Sequence, residues 1–130
     1  MNEIYEFLKQ CKTYYLATME GDQPRVRPFG TVDIFEGRLY IQTAKIKKVS
    51  QQMKTNPKVE ISATLGRQWI RLEAIAVLDD RLEAKQHMLD SYPMLQSMYK
   101  ADDGNTEVFW LKDATATIFS FTEEPITYTF

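Results

Sequence analysis

Apolar residues recur at Ile4, Phe7, Leu8 and Cys11. The i, i+3, i+4, i+7 spacing predicts a short amphipathic helix. "TYYLATM" then reads as a strand, being rich in aromatic and β-branched residues. "EGDQP" is turn chemistry, with Gly21 free to take positive φ and Pro24 unable to donate to a ladder. "RVRPFGTVDIF" is expected as a strand broken or bent near Pro28 and Gly30, at an edge or a bulge. "EGR" predicts a tight turn and "LYIQT" the returning strand. Ile46, Val49 and Met53 fall on one helical face, and "NP" stops that helix at Asn56.

In the second half, Val59, Ile61, Ala63 and Leu65 alternate with polar or small residues until Gly66 turns the chain. "QWIRLEAIAVLDD" predicts a long strand, with Ile70, Leu72, Ala74 and Ala76 on one face and Trp69, Arg71 and Glu73 on the other. "RLEAKQHMLDSYPMLQSMY" reads as helix in two pieces divided near Pro93. "KADDGNTE" reads as a loop. "VFWLK" and "TATIFSF" are expected to form a final hairpin around Asp113 and Ala114. Many antiparallel strands with few short helices predict a mainly β fold. Their edges need closure or cover, so a small closed or half-closed barrel with peripheral helices is expected.

Composition adds limits. The 130 residues, 44% apolar and 26% charged, suit a single soluble domain spanning 1–130. A net charge of −2 argues against bulk attraction to nucleic acid or an anionic membrane, though a local basic cluster can still hold a small anion. One cysteine, Cys11, forms no intrachain disulfide and reads as a structural thiol. No apolar run approaches the roughly 20 residues of a membrane span. "MNEIYEFLKQCK" lacks the apolar core of a signal peptide, so the expected location is cytoplasmic.

Positive charge gathers in "TAKIKKVSQQMKTNP", which holds Lys45, Lys47, Lys48 and Lys54. Lysines at a helix start oppose the helix dipole, and a bound phosphate would relieve that opposition. Lys47, Gln51 and Lys54 share a face by i, i+4, i+7 spacing. An ordinary solvated lysine face is the competing reading. "RVRPF" places Arg25 and Arg27 on one side of a strand a single hairpin away. Guanidinium groups there suit phosphate or the carbonyl edge of a flat heterocycle.

The run "PRVRPFGTVDIFEGRLYIQTAKIKKVSQQMKTNPKV" resembles the pyridoxamine 5'-phosphate oxidase-like family of FMN-binding split barrels. The resemblance covers residues 13–121, and the later segment is similar to a small bacterial subgroup related to nitroimidazole-resistance proteins. It implies an antiparallel, Greek-key-like FMN-binding split β-barrel and a homodimer with FMN at the subunit interface. By the same resemblance Arg27, Pro28, Phe29 and Gly30 run along the flavin. Gln42 and Thr43 meet the phosphate and ribityl chain, and Lys47 and Lys48, with Gln51 on their helix, hold the phosphate. Trp69 falls near the position where the partner subunit contributes a glutamine, and Ala74 stands where relatives often have glycine. The implied activity is a flavin-dependent oxidoreductase acting on a small molecule such as a quinone or nitroaromatic, with NAD(P)H as donor. No catalytic side chain is assigned. The true oxidases carry further C-terminal Arg and His residues. This chain has only His87, so pyridoxamine 5'-phosphate is not the expected substrate.

His87 has no second His or Cys beside it, and no metal site is expected. Asp79–Asp80 and Asp102–Asp103 lie at element boundaries and suit helix capping or loop solvation. Phe109, Trp110, Phe119 and Phe121 are expected in the core or on a dimer surface. Two rivals stand beside the oxidoreductase: a flavin-binding or sensing module without turnover, and a haem-binding split barrel. A nucleic-acid-binding barrel is a more distant third.

Overall fold

The first helix forms where the apolar spacing puts it. In the computed structural model, which describes residues 1–130, α1 spans Asn2–Cys11 and buries Ile4, Phe7 and Leu8. Strands β1 (Tyr14–Glu20) and β2 (Gln23–Phe29) follow as a hairpin turned at Gly21, whose φ of 62° favours glycine. Pro24 lies inside β2 rather than in the turn, and this is tolerated because β2 ends the sheet. The expected break occurs: the chain leaves β2 after Phe29 and resumes as β3 at Asp33–Phe35.

Next come β4 (Arg38–Ala44), α2 (Lys48–Thr55), β5 (Lys58–Leu65) and β6 (Gln68–Asp79). Helix α3 spans Leu82–Ser91, and a 3-10 turn at Pro93–Ser97 supplies the expected second piece. The final hairpin predicted around Asp113 is instead one strand, β7, running from Thr106 to Ser120. Asp113 takes a φ of 51°, and the β6–β7 register shifts between Glu73 and Ile75. Asp113 and Ala114 therefore form a bulge that bends the strand without reversing it. Ala114 turns its N–H and C=O to Phe130, at 2.8 and 3.0 Å, just beyond β8 (Ile126–Thr129), a strand not anticipated.

The sheet order is β2-β1-β5-β6-β7-β4-β3, with β8 added to β7, and all pairings are antiparallel. No ladder joins β2 to β3, so the barrel is split along that line. Helix α2 packs against β1 and β4 beside the split. The inward positions expected from alternation, among them Leu16, Ile61, Ile70, Leu72 and Ala116, meet in one core with Val49 and Met53 of α2. On the other face of β4, Tyr40 packs with Val108, Ala84 and Met88 beneath α3. The fold is thus the mainly β, antiparallel split barrel. No helix is long and apolar enough to cross a membrane.

Candidate functional site

The segment Gly30–Val32 crosses the split and is held from three sides. The Tyr14 hydroxyl donates to the Thr31 carbonyl at 2.6 Å. The Tyr92 hydroxyl accepts from the Val32 N–H at 2.9 Å and donates to its carbonyl at 3.0 Å. The Thr31 hydroxyl accepts the Gln42 N–H at 3.1 Å, standing in for a missing ladder partner on β4. These bonds fix one wall of a cleft of about 170 Å³ lined by Arg27, Pro28, Phe29, Gly30, Thr31, Gln42, Thr43, Lys47 and Val49. Seven residues singled out by sequence therefore converge: Arg27, Pro28, Phe29, Gly30, Gln42, Thr43 and Lys47.

Two features of this cleft are chemically incomplete. Thr43 is only 3% exposed, and its Oγ1 has no hydrogen-bond partner. A buried hydroxyl left unpaired costs about 1–3 kcal/mol. Arg27 is half-buried and its partners carry no charge. Nη1 donates to the Thr18 hydroxyl at 2.6 Å and the Leu16 carbonyl at 3.2 Å, and Nη2 to Gln52 Oε1 at 2.6 Å. Burial, and then the nearby Arg25, lower the Arg27 pKa, so its charged form is disfavoured in this setting. An anion would offset both effects.

Helix α2 supplies the rest. It starts at Lys48 with Lys47 as its N-cap, two residues later than the apolar spacing suggests, and no side chain caps its first N–H groups. Ile46, expected on the buried face, projects into solvent at 85% exposure. Lys47, Lys48 and Gln51 line a second cleft of about 300 Å³ with Met19, Glu20, Gly21, Ile46, Gln52 and Thr55. Lys47 thus stands between the two clefts. Lys54 leaves the basic face and pairs with buried Glu107 at 2.7 Å. Arg25 likewise pairs with Glu20 at 3.0 Å instead of joining Arg27.

Trp69 lies in neither cleft. It stacks on Phe119, with centroids 5.5 Å apart and planes at 10°, beside the 79% exposed Phe121. Of the terminal aromatics only Phe109 enters the core. Cys11 donates to the Thr64 carbonyl at 3.4 Å, and burial raises its pKa, as suits a structural thiol. His87 is an ordinary boundary residue, tied through Nδ1 to buried Asp33 at 2.6 Å, with the Ser91 hydroxyl on the other Asp33 oxygen at 2.9 Å. No three His, Cys, Asp or Glu side chains come together as a metal site. Neither aspartate pair caps a helix through its side chain: α3 has no such bond. Asp79 accepts from Arg81 and Tyr40, whereas Asp103 closes its loop by accepting the N–H groups of Lys100, Asn105 and Thr106.

Sequence reasoning missed Thr18 and Gln52, which set the Arg27 guanidinium. The signal was present. Gln52 shares the i, i+3, i+4 face of Val49 and Met53, and Thr18 continues the inward alternation of Tyr14 and Leu16. Polar residues at inward positions need partners, and these two find each other and Arg27.

These features define a split-barrel protein with a cationic cleft along its seam. The chain belongs to the pyridoxamine 5'-phosphate oxidase family, which its residues 1–119 match. A NimC/NimA family protein from Clostridium acetobutylicum is 48% identical over 100% of this chain and 92% of its own, with a TM-score of 0.97. A pyridoxamine 5'-phosphate oxidase-related, FMN-binding protein from Nostoc punctiforme shares the fold at 14% identity and a TM-score of 0.66, over 97% of this chain and 90% of its own. A haem-binding protein from Mycobacterium smegmatis also shares it, at 12% identity and a TM-score of 0.69, over 96% of this chain and 57% of its own. No match is found among curated proteins.

Proposed function

We propose that this chain binds FMN along the barrel split as a homodimer and serves as a flavin-dependent oxidoreductase for a small molecule such as a nitroaromatic or quinone. The observation that carries the reading is the unpaired, buried Thr43 hydroxyl in a cleft shared with Arg27 and Lys47. That donor set fits a phosphorylated, planar ligand. Lys47, Lys48 and the uncapped N–H groups of α2 would hold the phosphate, with Gln51 beside them. Thr43 and Gln42 would meet the ribityl chain, while Arg27, Pro28, Phe29 and Gly30 would flank the ring.

When bound, the isoalloxazine would supply hydride and electron transfer, with NAD(P)H as the donor. The protein's part is to position and to bias. Gln52 and Thr18 hold the Arg27 guanidinium, and a fixed cation beside the ring favours the anionic reduced form. A cleft of about 170 Å³ is smaller than the roughly 300–1,000 Å³ that encloses a cofactor-sized ligand. A second protomer closing over it accounts for the difference, and Trp69, outside the cleft of its own chain, is then free to serve its partner's. The haem reading is weaker, because the cleft lining has no His, Cys, Met or Tyr to ligate iron.

The test is the absorption spectrum of the purified protein together with the double variant Lys47→Glu/Lys48→Glu. Flavin bands are expected in the wild type. The variant should lose the flavin while its far-UV circular dichroism stays unchanged. A Soret band, or full flavin retention by the variant, overturns the reading. Anaerobic bleaching of the bound flavin by NADPH separates an enzyme from a carrier.

A further inference from the structure

The second cleft is larger than a phosphate requires. At about 300 Å³ it reaches the lower end of the roughly 300–1,000 Å³ range of small-molecule sites. Lys47 is shared with the first cleft, while Lys48, Met19, Gly21, Ile46 and Thr55 line the second alone. The outward projection of Ile46 is built into the fold. The Lys45 N–H donates to the Asn105 carbonyl at 2.7 Å, and the Ile46 N–H to Asn105 Oδ1 at 3.2 Å. Two successive backbone groups are thereby pinned, and a large apolar side chain is held in solvent beside a basic helix start.

The charges around it are one-sided. The single acid in the lining, Glu20, is occupied by Arg25 at 3.0 Å and by the Gln52 amide at 3.2 Å. Lys47 and Lys48 pair with no carboxylate of the chain, in contrast to Lys54 with Glu107 and Lys85 with Asp80. The Gln51 amide is exposed at the cleft with no partner of its own. An apolar platform, free cations and a free amide within one concavity match a flat base joined to phosphate.

We propose that this second cleft seats a nucleoside phosphate, its base against Ile46 and Met19 and its phosphate beside the flavin phosphate that Lys47 and Lys48 hold. The proposal rests on the reading that Lys47 anchors a flavin phosphate next door. The nucleotide then has two sources: the adenylate half of FAD, continuing past Lys47, or a free nucleotide such as the adenosine end of a pyridine dinucleotide donor.

The experiment is isothermal titration of the full chain with FMN, FAD and ADP, the ADP added to FMN-loaded protein, in wild type, Ile46→Leu and Ile46→Asn. Ile46 is exposed and both replacements are neutral, so both variants should fold and leave the charge around Lys47 unchanged. An FAD affinity exceeding that for FMN by about tenfold, lost in Ile46→Asn and kept in Ile46→Leu, supports the tethered source. Equal FMN and FAD affinities, with ADP binding that Ile46→Asn weakens about tenfold, support the free source. In both cases FMN affinity should change by less than about twofold. FMN binding with no gain from FAD and no ADP binding overturns this proposal and leaves the flavin reading standing. ADP binding that is indifferent to Ile46→Asn overturns it as well. Ile46-dependent ADP binding by a chain that binds no flavin would do the reverse, removing the flavin reading and keeping the nucleotide cleft.

Discussion

A threonine hydroxyl sealed from solvent with nothing to bond destabilises the chain that contains it, and Thr43 is such a residue. Thr43→Val removes the oxygen at nearly constant volume. The ligand-free variant should be as stable as wild type or more so, by up to about 1–3 kcal/mol, because an unpaid desolvation penalty disappears. If the hydroxyl meets FMN, the same change should weaken FMN binding about tenfold, the loss of one hydrogen bond of about 1.4 kcal/mol. Thermal unfolding without ligand and titration with FMN read these opposite signs. A variant less stable and equally good at binding would assign Thr43 to packing alone. Arg27 offers a complementary test through Gln52→Leu, which removes the acceptor holding Nη2. The guanidinium should stay near the cleft but lose its orientation. FMN binding should weaken while Arg27→Lys, lacking the planar fork, weakens it further.

At the level of elements, the placement of α2 decides whether the lysines face the seam. Buried Glu107 of β7 takes the Ser50 hydroxyl and the Lys54 ammonium, and Gln52 ties the helix to Thr18 of β1. Glu107→Ala leaves the fully buried Ser50 hydroxyl without its partner and should destabilise the fold by about 1–3 kcal/mol, as measured by urea unfolding. The start of α3 is fastened by a different junction. Asp79, at the end of β6, accepts from Arg81 and from Tyr40 of β4, and Arg81 also reaches Glu36 in the β3–β4 turn. Its hydrogen bonds from Arg81 and then Tyr40 outweigh burial and hold the carboxyl at about 2, below its ordinary 3.8. A depressed carboxyl stabilises the fold above its unfolded pKa and loses that contribution as pH falls through the folded value. The advantage of wild type over Asp79→Asn should therefore be full at pH 6 and decline from about pH 5 toward pH 2. Melting curves across that range check it. These junctions also mark where the sequence stopped being informative. Hydrophobic alternation located β5 and β6 because burial on one face imposes a period of two, while the earlier strands were legible from aromatic and β-branched residues between turn signals. It failed at Asp113–Ala114, where turn-like residues form a bulge, since only the continuous β6 ladder distinguishes bending from reversal. It failed at Ile46 because the two hydrogen bonds to Asn105, 59 residues away for Ile46 itself, override a helical register that extends two residues too far. The cleft was legible through Arg27 and Lys47, whose charge is local, and through the family resemblance that singled out Thr43. Its supports, Gln52 and Thr18, depend on which inward polar groups meet across the barrel.

The whole molecule presents one face that a lone chain leaves uncovered. On the outer side of the β1–β2 hairpin, Val26 is 68% exposed opposite Ala17, and half-exposed Tyr15 lies opposite Pro28. Val26 and Pro28 belong to β2, whose last residues, Arg27, Pro28 and Phe29, line the cleft, so a protomer docked there would also reach the split. Charge placed at the centre of such a contact should break it without disturbing the barrel, because Val26 makes no part of the core. By light scattering the wild type is expected to run as a dimer and Val26→Glu as a folded monomer. If the cleft is completed by a second chain, the monomer should also lose FMN, despite keeping Lys47, Lys48, Arg27 and Thr43 intact. A monomeric Val26→Glu that retains FMN at wild-type affinity would show a cofactor site sufficient within one chain. A Val26→Glu that remains dimeric would move the interface to another face, with the half-buried Trp69 and Phe119 beside exposed Phe121 the next to test. The two readouts vary independently, so the contribution of the second protomer to the cleft is separated from dimerisation itself.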